Sequence, residues 1–141
     1  MAHEVARSSA LLFALTKAEG HDLWETLKAQ LASIGKECAA VGVNVEISDI
    51  TNPIGEGAAV RISSVGVPRI GELRSLDVQV WYEPENRRIR CYSFLDDTSL
   101  LLKFCVADGH LAICDGGTIL DPKTAASRII QPTVKALTGH H

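Results

Sequence analysis

Four thiols are the strongest nucleophiles in this 141-residue chain: Cys38, Cys91, Cys105 and Cys114. None forms a Cys-x-x-Cys pair, and their spacing matches neither a zinc site nor a secreted disulfide framework. They read as reduced thiols of a cytoplasmic protein. Cys114 is the one candidate catalytic nucleophile, because the strand register developed below sets Lys103 opposite it, and a nearby ammonium favours the thiolate. Cys105 lies one pleat along from Lys103. No histidine falls beside Cys114, and cysteine is commonly buried for packing alone.

The histidines lack metal-ligand spacing: His21 opens a turn, His110 flanks a hairpin, and His3, His140 and His141 sit near the ends. No metal and no cofactor is expected. Asp115-Gly116-Gly117-Thr118 has neither the P-loop lysine nor the dinucleotide glycine spacing, and reads as a turn towards Asp121. Asp96 and Asp97 are adjacent carboxylates in a polar loop. No Gly-x-Ser-x-Gly or His-Glu-x-x-His is present, so no enzyme class is singled out.

A second constellation is better suited to binding. Trp81, Tyr92, Phe94 and Leu101 fall, by alternation, on the face of a sheet that also carries Arg90 and Lys103. That face is more apolar than a solvated one requires, so a helix, a second chain or a ligand is expected over it. Trp81, Arg90, Tyr92, Phe94 and Lys103 are therefore the candidate ligand- or partner-binding residues. The cations among them suit a small anionic ligand in an aromatic-walled pocket. Arg61, Arg69, Arg74, Arg87, Arg88 and Arg90 cluster in the middle third, but acids are interleaved with them. A Glu83–Arg88 pair and a Trp81–Arg90 cation–π contact account for several without nucleic acid.

These positions follow from the elements that hold them. Residues 3–18 are rich in Ala and Leu and run up to Gly20, which reads as a helix terminator. A second helix is expected from Asp22, its cap, to Gly42, with Leu23, Leu27, Leu31, Ile34, Cys38 and Val41 in one apolar stripe. The period then changes to two at Val43, Val45 and Ile47, giving a strand, and another is expected over 58–65. Pro68 and Gly71 mark 66–74 as a surface connection.

From Leu76 the chain reads as a meander with turns at Glu85-Asn86, Asp96–Ser99 and Asp108-Gly109. These turns pair Trp81 with Arg90, Tyr92 with Lys103, and Lys103 with Cys114. They gather Val78, Val80, Tyr82, Ile89, Cys91, Leu102, Phe104, Leu111 and Ile113 on one core face. Asp121-Pro122 opens a last helix, which Pro132 is expected to kink or interrupt.

The expected fold class is thus α+β, one domain over 1–141: two N-terminal helices, an antiparallel β-meander of five to six strands and one C-terminal helix. A charge of −3, from 14 basic and 17 acidic residues, provides no bulk attraction to nucleic acid or an anionic membrane. The apolar run 10–15 is too short to span a bilayer. The leading expectation is a non-enzymatic binding or assembly module that acts as a homodimer, or binds another protein partner, through the aromatic outer face of the meander or the long stripe of the second helix. The alternative is a small ligand-binding protein or enzyme with an anion-recognising pocket between helices and sheet.

Overall fold

The computed structural model describes residues 2–53, 55–64, 75–93 and 98–138. Helix α1 spans Ala2–Cys38 and is followed by a 3-10 turn, Ala39–Val41. Seven strands follow: β1 (Val43–Asn52), β2 (Gly55–Ser64), β3 (Ser75–Glu83), β4 (Arg88–Ser93), β5 (Thr98–Ala107), β6 (His110–Asp115) and β7 (Thr118–Leu120). Helix α2, Pro122–Thr138, closes the order. The strands lie side by side in sequence order, each antiparallel to the next. This is the expected α+β meander, with one N-terminal helix in place of two and seven strands in place of five or six. No helix among the described residues is long and apolar enough to cross a membrane.

Gly20 does not end a helix; it lies buried inside α1. A Cβ there would stand 2.6 Å from the Tyr82 hydroxyl, so glycine is required for the sheet to approach, not for a turn. Asp22 consequently lies within the helix and caps nothing; its carbonyl accepts a bond from Thr26 Oγ1 at 2.9 Å. The chain turns at Gly42 instead, in the left-handed region at φ 78°.

Trp24, Leu27, Leu31, Ile34 and Cys38 recur at steps of three and four and are all buried. Trp24 replaces Leu23 as the start of the expected stripe, and Val41 lies outside it, 59% exposed. This face meets Ala58, Val60, Ile62, Val78, Val80, Ile89, Leu102, Phe104 and Ile113 from the sheet. Truncating Leu27 or Leu31, both fully buried, to Ala costs about 2–5 kcal/mol in transfer and cavity terms. Tyr82 stacks on Trp24, with centroids 5.8 Å apart and planes 8° from parallel, and leans on Phe104 at 6.1 Å.

Helix α2 contributes Ala125, Ala126, Ile129, Ile130 and Val134 to the same core. Its start is the expected cap: Asp121 Oδ1 accepts from the Thr124 amide at 2.7 Å, with proline at the first helical position. Pro132 does not interrupt it. Pro132 and Arg128, whose carbonyl loses its donor there, are both exposed, so water can supply the missing partner.

Candidate association surface

Both helices contribute to one core against one face of the sheet. Alternation then assigns the opposite face to Glu46 and Ser48 of β1, Ala59 and Arg61 of β2, and Asp77, Gln79, Trp81 and Glu83 of β3. The same face receives Arg88, Arg90 and Tyr92 of β4, Leu101, Lys103 and Cys105 of β5, Ala112 and Cys114 of β6, and Ile119 of β7. Every described residue expected on this face is there. Phe94 lies outside the described residues, as do the expected connection at 66–74 and His140-His141.

Leu101 and Ile119 are 42% and 58% exposed, large apolar side chains on a face to which neither helix contributes. Trp81 is half-buried because it lies down over Gly57: a Cβ on Gly57 would be 2.6 Å from its ring. Its indole N–H donates to Gln79 Oε1 at 3.3 Å. Tyr92, also half-buried, sits opposite Ser99.

The β3–β4 register is as expected, with Glu83 opposite Arg88 and Trp81 opposite Arg90. Its turn, however, occupies 84–87, with Arg87 in the left-handed region at φ 52°. Arg88 Nε donates to Glu83 Oε1 at 2.6 Å, and Arg90 Nη2 approaches Glu83 Oε2 at 3.2 Å. Arg90 thus pairs with Glu83, while the cation–π contacts among the described residues are Lys17 over Phe13 and Lys28 over Trp24. Arg61 Nε pairs with Asp77 Oδ1 at 3.1 Å across β2–β3. Such partly exposed pairs contribute on the order of 0–1 kcal/mol each and mainly fix where the charges stand.

Across β4–β5 the expected pairing is displaced by four residues. Lys103 stands opposite Arg88, not Tyr92. A shift of four keeps every side chain on its face, so the alternation is satisfied by both registers. Across β5–β6, Lys103 does stand opposite Cys114, and Asp108 and Gly109 both take positive φ, the type I′ geometry expected.

A cleft of about 660 Å³ opens at one end of the sheet, lined by Thr51, Pro53, Gly55, Glu56, Trp81, Tyr82, Glu83, Glu85 and Arg90 among others. Of the candidate ligand residues it contains Trp81 and Arg90; Tyr92 and Lys103 stand apart from it. Its lining places three carboxylates around one guanidinium, an acidic balance for an anion site.

A polar cluster that the sequence reading missed lies near this end. Lys28 Nζ is 3.1 Å from Glu25, 3.3 Å from Asp49 and 3.8 Å from Glu56, and His21 Nε2 is 3.5 Å from both glutamates. Burial lowers the Lys28 pKa, but hydrogen bonds to Glu25 and Asp49 outweigh it and hold the ammonium charged. The His21, Glu25 and Glu56 donor atoms could hold a cation, yet Lys28 already occupies their field. The helical spacing of His21, Glu25 and Lys28 was there to be read, but nothing local reveals that Asp49 and Glu56 join them from β1 and β2.

No protein-family model, curated protein or solved structure matches the chain, so the functional reading rests on this geometry.

Proposed function

We propose that this protein is a non-enzymatic, cytoplasmic association module that forms a homodimer through the outer face of its sheet. The observation that carries the reading is the one-sided packing: both helices pack on the core face, and the other presents Leu101 and Ile119 to solvent.

The size and charge of the face fit a second copy. Seven strands at ~4.8 Å spacing, on average about eight residues long, make a surface on the order of 900 Å², near the ~800 Å² per partner of a standard interface. Its charges divide between halves. Strands β1–β3 carry Glu46, Asp77 and Glu83 against Arg61, whereas β4–β5 carry Arg88, Arg90 and Lys103. Within the chain Glu83 already pairs with Arg88 and Arg90, and Asp77 with Arg61, which leaves Glu46 of β1 and Lys103 of β5 as the charges that a two-fold axis would bring together across the interface.

Hydroxyl-radical footprinting across a concentration series tests which surface is used. Leu101, Ile119 and Trp81 lose reactivity as concentration rises, while Leu11 and Phe13, exposed on α1, keep theirs. Protection of Leu11 and Phe13 with Leu101 unchanged would move association to the helix and refute the sheet-face reading.

A further inference from the structure

Cys105 and Cys114 come from adjacent strands and meet on the outer face. Cys105 is opposite Ala112 and Cys114 is opposite Lys103, so the thiols are diagonal neighbours one pleat apart. Both are half-buried and free, and their side chains share a hydrogen bond. Burial first, then that bond and the charge of Cys114, push the Cys105 thiol up to about 11.

We propose that Cys105 and Cys114 form a two-thiolate binding site for a soft monovalent cation of the copper(I) type. Three observations select this chemistry over the other reactions of a thiol pair.

Diagonal cross-strand positions lie ~7–8 Å apart, beyond the ~6.8 Å over which a disulfide closes without backbone movement. A bridging cation relaxes that demand: with metal–sulfur bonds of ~2.3 Å the sulfurs stand up to ~4.6 Å apart, instead of ~2.05 Å. The pair is also too poor in ligands for zinc, which requires four. Among the described residues the one grouping of three or more metal-ligating atoms is His21, Glu25 and Glu56, so no third donor joins these sulfurs. Two soft thiolates with nothing else in reach suit copper(I).

The charge also closes. Two S–H bonds break, two copper–sulfur bonds form, both protons leave to solvent, and no electron is transferred. The product carries one net negative charge, next to the ammonium of Lys103 opposite Cys114.

The probe is copper(I), held reduced without oxygen and buffered by a chromophoric chelator, offered to wild type, Cys105→Ala, Cys114→Ala and Leu101→Asp. Wild type is expected to withdraw one copper per chain. Either cysteine variant withdraws none at the same chelator concentration. Cys105 and Cys114 share the outer face with Leu101, so Leu101→Asp, which disrupts association and keeps both thiols, matches or exceeds wild-type loading; its failure to load would mean that the copper depends on the dimer and not on this pair alone.

No withdrawal by wild type, or wild-type loading in either cysteine variant, overturns the proposal. Folding of the variants is checked by circular dichroism. A measurement on wild type, diluted to where it is monomeric, decides the matter if they fail: bound copper(I) shields Cys105 and Cys114 from maleimide, read by peptide mass spectrometry. Unchanged labelling of both rejects the site.

Discussion

Replacing Gly20 by Ala sets two effects of opposite sign against each other. In a helix interior Ala is favoured over Gly by about 0.8–1 kcal/mol, so on propensity alone the variant is the more stable protein. The new Cβ, however, stands 2.6 Å from the Tyr82 hydroxyl. Tyr82 cannot swing clear, because its ring is 8% exposed, stacked on Trp24 and held against Phe104. Overpacking of this kind costs about 1–3 kcal/mol, leaving a net loss of about 0–2 kcal/mol.

Tyr82→Phe removes the clashing oxygen and nothing else near Gly20: the remaining contacts of the Cβ are Thr16 Cγ2 at 3.5 Å and Tyr82 Cζ at 3.6 Å, ordinary packing distances. In the Tyr82→Phe background, Gly20→Ala should therefore become stabilising by its helix term. The double-mutant cycle, read by urea unfolding, is expected to show a coupling of about 1–3 kcal/mol. Gly20→Ala more stable than wild type with Tyr82 present, or a coupling near zero, would refute the account of why α1 runs through a glycine.

Burial raises the Cys91 thiol from its ordinary 9.0 to about 12, so the folded state holds that proton more tightly than the unfolded chain does. Its contribution is complete below pH 9 and is lost as pH rises from 9 towards 12, at about 1.4 kcal/mol per pH unit. Urea curves of Cys91→Ala should decline less steeply over that window, and parallel declines would contradict the assignment. Lys28→Met leaves Glu25, Glu56 and Asp49 facing one another without their ammonium, so stability falls and the deficit shrinks as added salt screens their repulsion. A deficit independent of salt would mean lost packing rather than lost charge. Gly57→Ala sets a Cβ 2.6 Å from the Trp81 ring and 2.8 Å from the Val80 carbonyl, and is expected to lower the urea midpoint and change Trp81 fluorescence; an unchanged midpoint contradicts the close packing.

Much of the sheet was legible because period-two alternation binds each residue to a face. Val78, Val80, Tyr82, Ile89, Leu102, Phe104, Leu111 and Ile113 are buried on the expected face, and Asp108-Gly109 form the expected turn. Alternation is blind to even-numbered shifts, which is why Lys103 was expected beside Tyr92 and stands beside Arg88. Strand β7, three residues long, is too short to display a period.

The single long helix was hidden by Gly20, whose use is long-range: nothing local in the sequence reveals that Tyr82 approaches 62 positions later. Trp24 is legible too, since Trp24, Leu27, Leu31, Ile34 and Cys38 follow the helical step as well as the stripe from Leu23 does. Of the site, the sequence identified Trp81, Arg90, Tyr92, Lys103 and Cys114 as sharing one face. It sets Arg90 over Trp81, whereas Arg90 reaches Glu83, because alternation fixes the face and not the side-chain geometry that selects a partner on it.

The molar mass in solution, measured by light scattering from low to high concentration for wild type and Leu101→Asp, tests the association surface most directly. Leu101 is exposed in the single chain, so aspartate there leaves the fold intact while placing an unpaired charge inside the interface. The account predicts twice the 15.2 kDa chain mass for wild type and a folded monomer for the variant. A wild type that stays monomeric throughout, or a variant that dimerises as strongly, would contradict it.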